Sequence, residues 1–474
     1  LNTESDDRNH YKQIQVLVER YEKCLKEGTS SYFEVDQFTS IIEYYQQFGS
    51  LDHALNVANA ALEMHPFTSL LLLKKAQVHI DLNQNKLAEE FVEKAVAING
   101  RDVDSTIVEI QILVAQEKFE IAEQMIFDIM EKVEEEEKVE LYYELSDLYE
   151  IWGKFDEELN CLSKLCFSTQ SDSDALKRTI MFIDFHNRHK DGIKLFKSLI
   201  EENAYNHLAW HNLGLCYMGL ELFEKALDAF SYSIAIKDDF EPSIRESAEA
   251  HFELANFQKA LEFYLESAAL SSYADESLYY SLGYTHYHLN NFQKAIFYLK
   301  KAIEIDDTYD DAYHLLGKVY QARGSLKKAL SNYHKAIQMN EDNPEYLESF
   351  AVLSFKTENP QTAVEYFLKA IEAAPQNINM WIKLSKCYYE LDYFSESYDV
   401  IHQALDVFEN EVDLLYIGAL SLYKLGKIQS SNEMLTLALT SDYQAHTILY
   451  DWDEKLITKN GIMTLIDQYR NMSL

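Results

Sequence analysis

The chain has 474 residues, 47% of them hydrophobic, and only 13 Gly and 5 Pro. It therefore has ample material for a core and few places where a helix must break, which excludes extensive disorder. A formal net charge of -37 disfavours nucleic acid as a direct ligand, because phosphate binding needs clustered Lys and Arg.

No stretch approaches the roughly 18 uninterrupted apolar residues of a membrane span, so membrane insertion is not expected. The five cysteines, Cys24, Cys161, Cys166, Cys216 and Cys387, include no C-x-x-C pair and have no His at zinc-ligand spacing. A reducing, cytoplasmic setting follows. Cys161 and Cys166 would face about 140° apart on one helix and should not bridge.

In chain order, residues 1–34 come first, with Tyr11, Ile14, Val18, Tyr21 and Leu25 at helical spacing. They predict a capping helix. From Val35 a 34-residue period takes over, clearest at Trp210, Leu213, Gly214, Tyr217, Ala226, Phe230 and Ser233. The same offsets recur at Tyr279, Leu282, Gly283, Ala295, Leu299 and Ala302, and at Tyr313, Leu316, Gly317, Tyr320, Ala329, Tyr333 and Ala336. This period predicts a tandem helix-turn-helix array.

Twelve units result: 35–68, 69–102, 103–136, 139–172, 173–206, 207–240, 241–274, 276–309, 310–343, 344–377, 378–411 and 412–445. The register skips at Glu137-Lys138, where Glu134 to Glu137 are expected to form a solvated loop, and again at Asp275. Residues 446–474, with Ile457, Ile462, Leu465, Ile466 and Tyr469, should close the far end with a second capping helix, because a terminal unit otherwise exposes its apolar face.

Numbered within a unit, position 20 carries Ala54, Ala88, Ala122, Glu158, Gly192, Ala226, Ala260, Ala295, Ala329, Ala363, Ser397 and Ser431. All but Glu158 are small, as expected where two helices cross closely. Position 8 carries Gly214, Ala248, Gly283, Gly317, Ala351, Ser385 and Ala419 in the later units, but Ile42, Ile110 and Ile180 in earlier ones, whose helix pairs should splay. A closing Pro survives as Pro66 and Pro375.

Together with the bulky residue at position 4, Leu at 7 and the aromatics at 11 and 24, this pattern resembles the tetratricopeptide repeat family, most strictly over residues 207–411. The resemblance implies an all-α fold, a right-handed superhelical solenoid of about twelve helix-turn-helix units with capping helices. The long, acidic, all-repeat layout also resembles soluble repeat proteins of Bacteroidetes-type bacteria, a likeness that brings no activity with it.

In that family, positions 2, 5, 9, 12 and 13 of each first helix face a concave groove. The resemblance therefore implies a wall made of His211, Leu215, Met218, Arg245, Glu249, Phe252, Tyr280, Tyr284, Tyr287, His288, His314, Lys318 and Gln321. Tyr280, Tyr284 and Tyr287 fall at i, i+4, i+7, a stripe suited to binding or, alternatively, to packing between neighbouring first helices. Arg245, His314 and Lys318 could meet a carboxylate or an acidic side chain. The expected peptide site comprises His211, Arg245, Phe252, Tyr280, Tyr284, Tyr287, His314 and Lys318.

The carboxylate clamp of co-chaperone members is not assembled: its positions hold Lys177 and Met181, then Asn212, then Pro242 and Glu246. His207 and His211 share a helix face but lack a third ligand, so no metal site is expected. No phosphate loop or nucleophile motif appears, and neither a catalytic residue nor a cofactor is expected.

The reading is a non-enzymatic scaffold or adaptor for extended or helical peptide segments of other proteins, basic ones included. The alternatives are a self-associating structural subunit and a ligand-responsive regulatory repeat protein.

Overall fold

The structure, a computed structural model, describes residues 2–28, 31–169, 173–271, 274–357, 359–453 and 461–472. Among them every regular element is helical. The chain divides into two compact bodies, Leu1–Leu254 and Ala255–Leu474.

The N-terminal body opens with the helix Asn2–Glu27 and continues as paired helices. Val35–Gln47 pairs with Leu51–Met64, Ser69–Asp81 with Asn85–Asn99, and Val103–Ala115 with Phe119–Met130. Glu135–Trp152 then pairs with Phe155–Thr169, Ser173–Phe185 with His189–Glu202, and His207–Met218 with Phe223–Ile236, before the helix Glu241–Glu253. The C-terminal body starts with Phe257–Leu270. Its pairs are Glu276–His288 with Phe292–Ile305, Asp310–Ala322 with Leu326–Met339, Pro344–Lys356 with Pro360–Ala373, Ile378–Glu390 with Phe394–Val407, and Val412–Lys424 with Ile428–Ser441.

Wherever position 15 is described, it is a left-handed residue at which the chain turns. Gly49, Gly153, Gly324 and Gly426 take it without steric cost, and Asn83, Asn187, Asn290 and Asp392 tolerate it. Glu117 and Glu221 adopt it as well, so the tertiary packing of the pair overrides local preference there, and Ala255 takes the same conformation where the second body begins.

Small residues set how closely the paired helices approach. Ala54, Ala88, Ala226 and Ala295 at position 20 are fully buried. At position 8, a Cβ on Gly214 would come within 2.3 Å of the Phe230 ring, and one on Gly317 within 2.5 Å of the Tyr333 ring. Glycine at 8 and the aromatic at 24 thus form one lock, and larger side chains there would force the buried ring to move. Where Ile42, Ile110 or Ile180 replaces the glycine, the two helices approach closely over fewer residues, the splay expected from a branched side chain at the crossing.

Three details depart from the sequence reading. Glu134 to Glu137 do not form a loop. Glu134 is the N-cap of Glu135–Trp152 in a reciprocal capping box with Glu137, and three acidic residues occupy the first turn. Negative side chains beside the free N–H groups of a helix start are favourable, so the acidic run extends the helix.

At the ends, Val18 and Tyr21 are buried against Phe33 and Phe38, with Ile14 packed beside them, whereas Leu25 points out at 63% exposure. The Tyr11 side chain lies outside the described residues. The far end closes with two short helices, Ile448–Trp452 and Ile462–Met472, rather than one. Ile462 and Ile466 are buried on Leu435 and Leu439, Leu465 and Tyr469 pack beside them, and Ile457 lies outside the described residues.

Candidate functional site

Within each body, first helices of neighbouring repeats contact one another, as Ser173–Phe185 does His207–Met218 and Glu276–His288 does Asp310–Ala322, so their side chains form a shared face. The expected site residues fall into two groups. His211, Arg245 and Phe252 belong to the N-terminal body, and Tyr280, Tyr284, Tyr287, His314 and Lys318 to the C-terminal one.

In the C-terminal body the three tyrosines are half-buried, packed against a cluster that includes Ala295, Leu299 and Leu316. The Tyr280 ring lies 5.9 Å from Tyr284 and 5.3 Å from Tyr309. Tyr284 leans on His288 at 4.7 Å, and Tyr287 lies 6.2 Å from Phe292. Burial, then the neighbouring Asp311, raises the Tyr280 hydroxyl above its ordinary pKa, so it stays protonated and able to donate. Both halves of the sequence alternative hold here: the rings pack, and part of each remains open.

The cations beside them are differently placed from the expectation. His314 is only 4% exposed, its Nε2 is 2.9 Å from Ser349 Oγ, and its ring sits between Tyr333 and Tyr346. Burial first, and Lys318 second, depress its pKa to about 4. At neutral pH it is an uncharged part of the wall, unable to supply the positive charge expected of it. Lys318 Nζ lies 2.6 Å from Glu345 Oε1, and this bond holds the Glu345 carboxyl below its usual range. Lys383 pairs in the same way with Glu348 on the neighbouring first helix. The ammonium of Lys318 is thus engaged between repeats, and a ligand carboxylate would compete with Glu345 for it.

In the N-terminal body, His211 Nδ1 is 3.0 Å from Ser243 Oγ; Ser243 donates to Ser233 Oγ at 2.8 Å, and Ser233 to the His207 carbonyl at 2.9 Å. Because the Ser243 proton is used onward, the imidazole nitrogen is the donor. Burial, with a smaller contribution from His207, lowers the His211 pKa to about 4, so this imidazole too is neutral. Arg245 and Phe252 are half-buried on Glu241–Glu253, where burial raises the Glu246 carboxyl to about 7 and the charge of Arg245 opposes the rise.

The sequence reading missed the most exposed large apolar side chains on these first helices: Ile151 at 62%, Met181 at 62% and Phe185 at 82%. They stand at positions 9 and 13 of the fourth and fifth repeats, so the position rule that selected the tyrosines would have found them.

Among the described residues no group of three or more His, Cys, Asp or Glu is arranged to hold a metal ion. Among the same residues no helix is long and apolar enough to cross a membrane.

Comparison with known proteins gives three family matches, each described as Tetratricopeptide repeat, over residues 71–102, 277–309 and 314–378. No curated protein matches the sequence. Among solved structures, one described as the APC/C hetero-tetramer Cut9-Hcn1 is 14% identical, with 88% of this chain and 95% of that chain covered and a TM-score of 0.42. The C-terminal part of a repeat protein from Cytophaga hutchinsonii is 15% identical, covering 48% of this chain and 94% of its own, with a TM-score of 0.43. YrrB, described as a repeat protein with an unusual peptide-binding site, is 19% identical over 39% of this chain and 95% of its own, with a TM-score of 0.33. The three family matches fall on helix pairs that repeat with the sequence period, and the chain carries tetratricopeptide repeats.

Proposed function

We propose that the chain is a non-enzymatic scaffold that holds peptide segments of partner proteins on the first-helix faces of its repeats. Tetratricopeptide repeats are protein-binding modules, which supports the general role. The observation that carries the specific reading is the Tyr280, Tyr284, Tyr287 stripe, half-open and braced by Tyr309, His288 and Phe292. Rings fixed before a ligand arrives lose little freedom on binding, and tyrosine offers apolar area with a polar tip. The five free thiols support a reducing compartment for this scaffold.

The test is affinity capture from native lysate with the wild type, a Tyr280→Ala, Tyr284→Ala, Tyr287→Ala variant and the corresponding triple Phe variant. Because the rings also pack, the Phe variant controls for the core. Partners should be lost from a folded Ala variant and largely kept by the Phe variant. Retention of every partner by the folded Ala variant would refute the tyrosine site.

A further inference from the structure

We infer that the N-terminal body carries a separate docking face, centred on Ile151, Met181 and Phe185, for a protein segment that combines large apolar anchors with Lys or Arg. The inference rests on the scaffold reading but not on the tyrosine stripe, which lies in the other body. A single exposed apolar side chain is ordinary on any protein surface. Here the exposed side chains lie on two helices that Arg178 ties together through Asp147. Met181 and Phe185 are one turn apart on Ser173–Phe185, and Ile151 ends the preceding first helix, Glu135–Trp152.

Phe185 is not loose, because His186 braces it. The imidazole lies 5.0 Å from the Phe185 ring, 4.6 Å from Phe182 and 4.2 Å from Phe155, while 82% of Phe185 stays open. A braced aromatic with an open face, flanked by a flexible thioether and a branched aliphatic side chain, has the chemistry of an anchor pocket for apolar residues.

The charge around it selects the partner. The side chains of Glu150 and Asp184 are 64% and 55% exposed on the same two helices, with Asp147 at 49%. The helix Ser173–Phe185 offers two cations against them, Lys177 and Arg178. Arg178 is drawn into the wall, where it pairs with Asp147 and lies 3.7 Å from Glu150. Negative charge is left in excess on a chain whose net charge is already -37. A cationic, apolar-anchored segment is complementary to this face, and an acidic one is repelled.

The probe is a phage-displayed library of random peptides panned on the full chain at low salt, with individual hits measured by fluorescence anisotropy. Enriched peptides should carry two or more large apolar residues and net positive charge. An Ile151→Ser, Met181→Ser, Phe185→Ser variant should weaken them by about tenfold or more. A Glu150→Lys, Asp184→Lys variant and rising salt should each weaken them too, and the triple tyrosine variant should not. All the substituted side chains on this face are exposed, so circular dichroism and melting temperature should stay at wild-type values.

The inference is overturned by a library without basic apolar hits, or by hits that bind the triple Ser variant normally. It is also overturned if sedimentation shows self-association that the Ser variant abolishes, since the occupant would then be a second copy of the chain. Hits that depend on the tyrosines alone would support the proposed function and reject this face. Hits that depend on this face alone would do the reverse.

Discussion

Glu158 stands at position 20, where every other repeat has Ala, Gly or Ser. It is 3% exposed, and its Oε2 has no hydrogen-bond partner. Burial, reinforced by Glu150 and opposed by Arg178, raises its carboxyl from an ordinary 4.5 to about 7. A carboxyl whose folded pKa exceeds its unfolded one binds a proton more readily when folded. Its contribution is therefore fully present below about pH 4.5 and is lost as pH rises through about 7. Glu158→Gln removes this titration. Urea unfolding between pH 5 and 8 should show a shallower fall in stability for the variant, with a difference on the order of 2 kcal/mol across the window. Some slope should remain, because burial also raises Glu144 and Glu246 to about 7. Identical slopes would mean that Glu158 is solvated in the folded state.

At the scale of the element, the helix Asn2–Glu27 covers the first repeat through Val18 and Tyr21, buried with Phe33, Phe38 and Ile41. A solenoid unit shares its core only with its neighbours, so undoing this contact should loosen the adjoining repeat before the rest. Val18→Asp places a charge in that cluster at a cost of roughly 2–4 kcal/mol. Hydrogen exchange should accelerate in Val35–Gln47 and remain unchanged in the C-terminal body, and uniform protection would show that the helix is not a cap. Such elements were legible because helical spacing and the small residue at position 20 are direct consequences of helices crossing closely. The acidic start of Glu135–Trp152 was not, because Glu134 and Glu137 read as loop until capping is considered. The site was less legible than the fold. Tyr280, Tyr284 and Tyr287 could be placed on one face by spacing, but the neutrality of His211 and His314 depends on burial by residues more than twenty positions away. Met181 and Phe185 stand at positions 9 and 13, where the rule that selected the tyrosines would have named them, but how far each side chain stays open is set by the packing.

Over the whole molecule, 79 acidic residues face 42 Lys and Arg, so 37 carboxylates have no cation to balance them. The observed ion pairs are mostly short-range contacts between neighbouring turns or repeats, such as Lys74 with Glu43 and Lys369 with Glu365. Pairs of this exposure contribute about 0–1 kcal/mol each, and salt weakens them. The unbalanced carboxylates act in the opposite direction: they repel one another over distances longer than any single contact, and salt screens that repulsion once the Debye length falls to about 8 Å at physiological ionic strength. In a repeat array, where each unit is held only by its neighbours, no long-range contact offsets the repulsion. Screening should therefore outweigh the loss of ion pairs, and the melting temperature at neutral pH should rise as sodium chloride is increased from low to physiological concentration. The same salt should weaken binding of a basic partner, so stability and affinity should move in opposite directions in one titration. A melting temperature that falls with salt would show instead that the inter-repeat ion pairs outweigh the net charge in holding the array together.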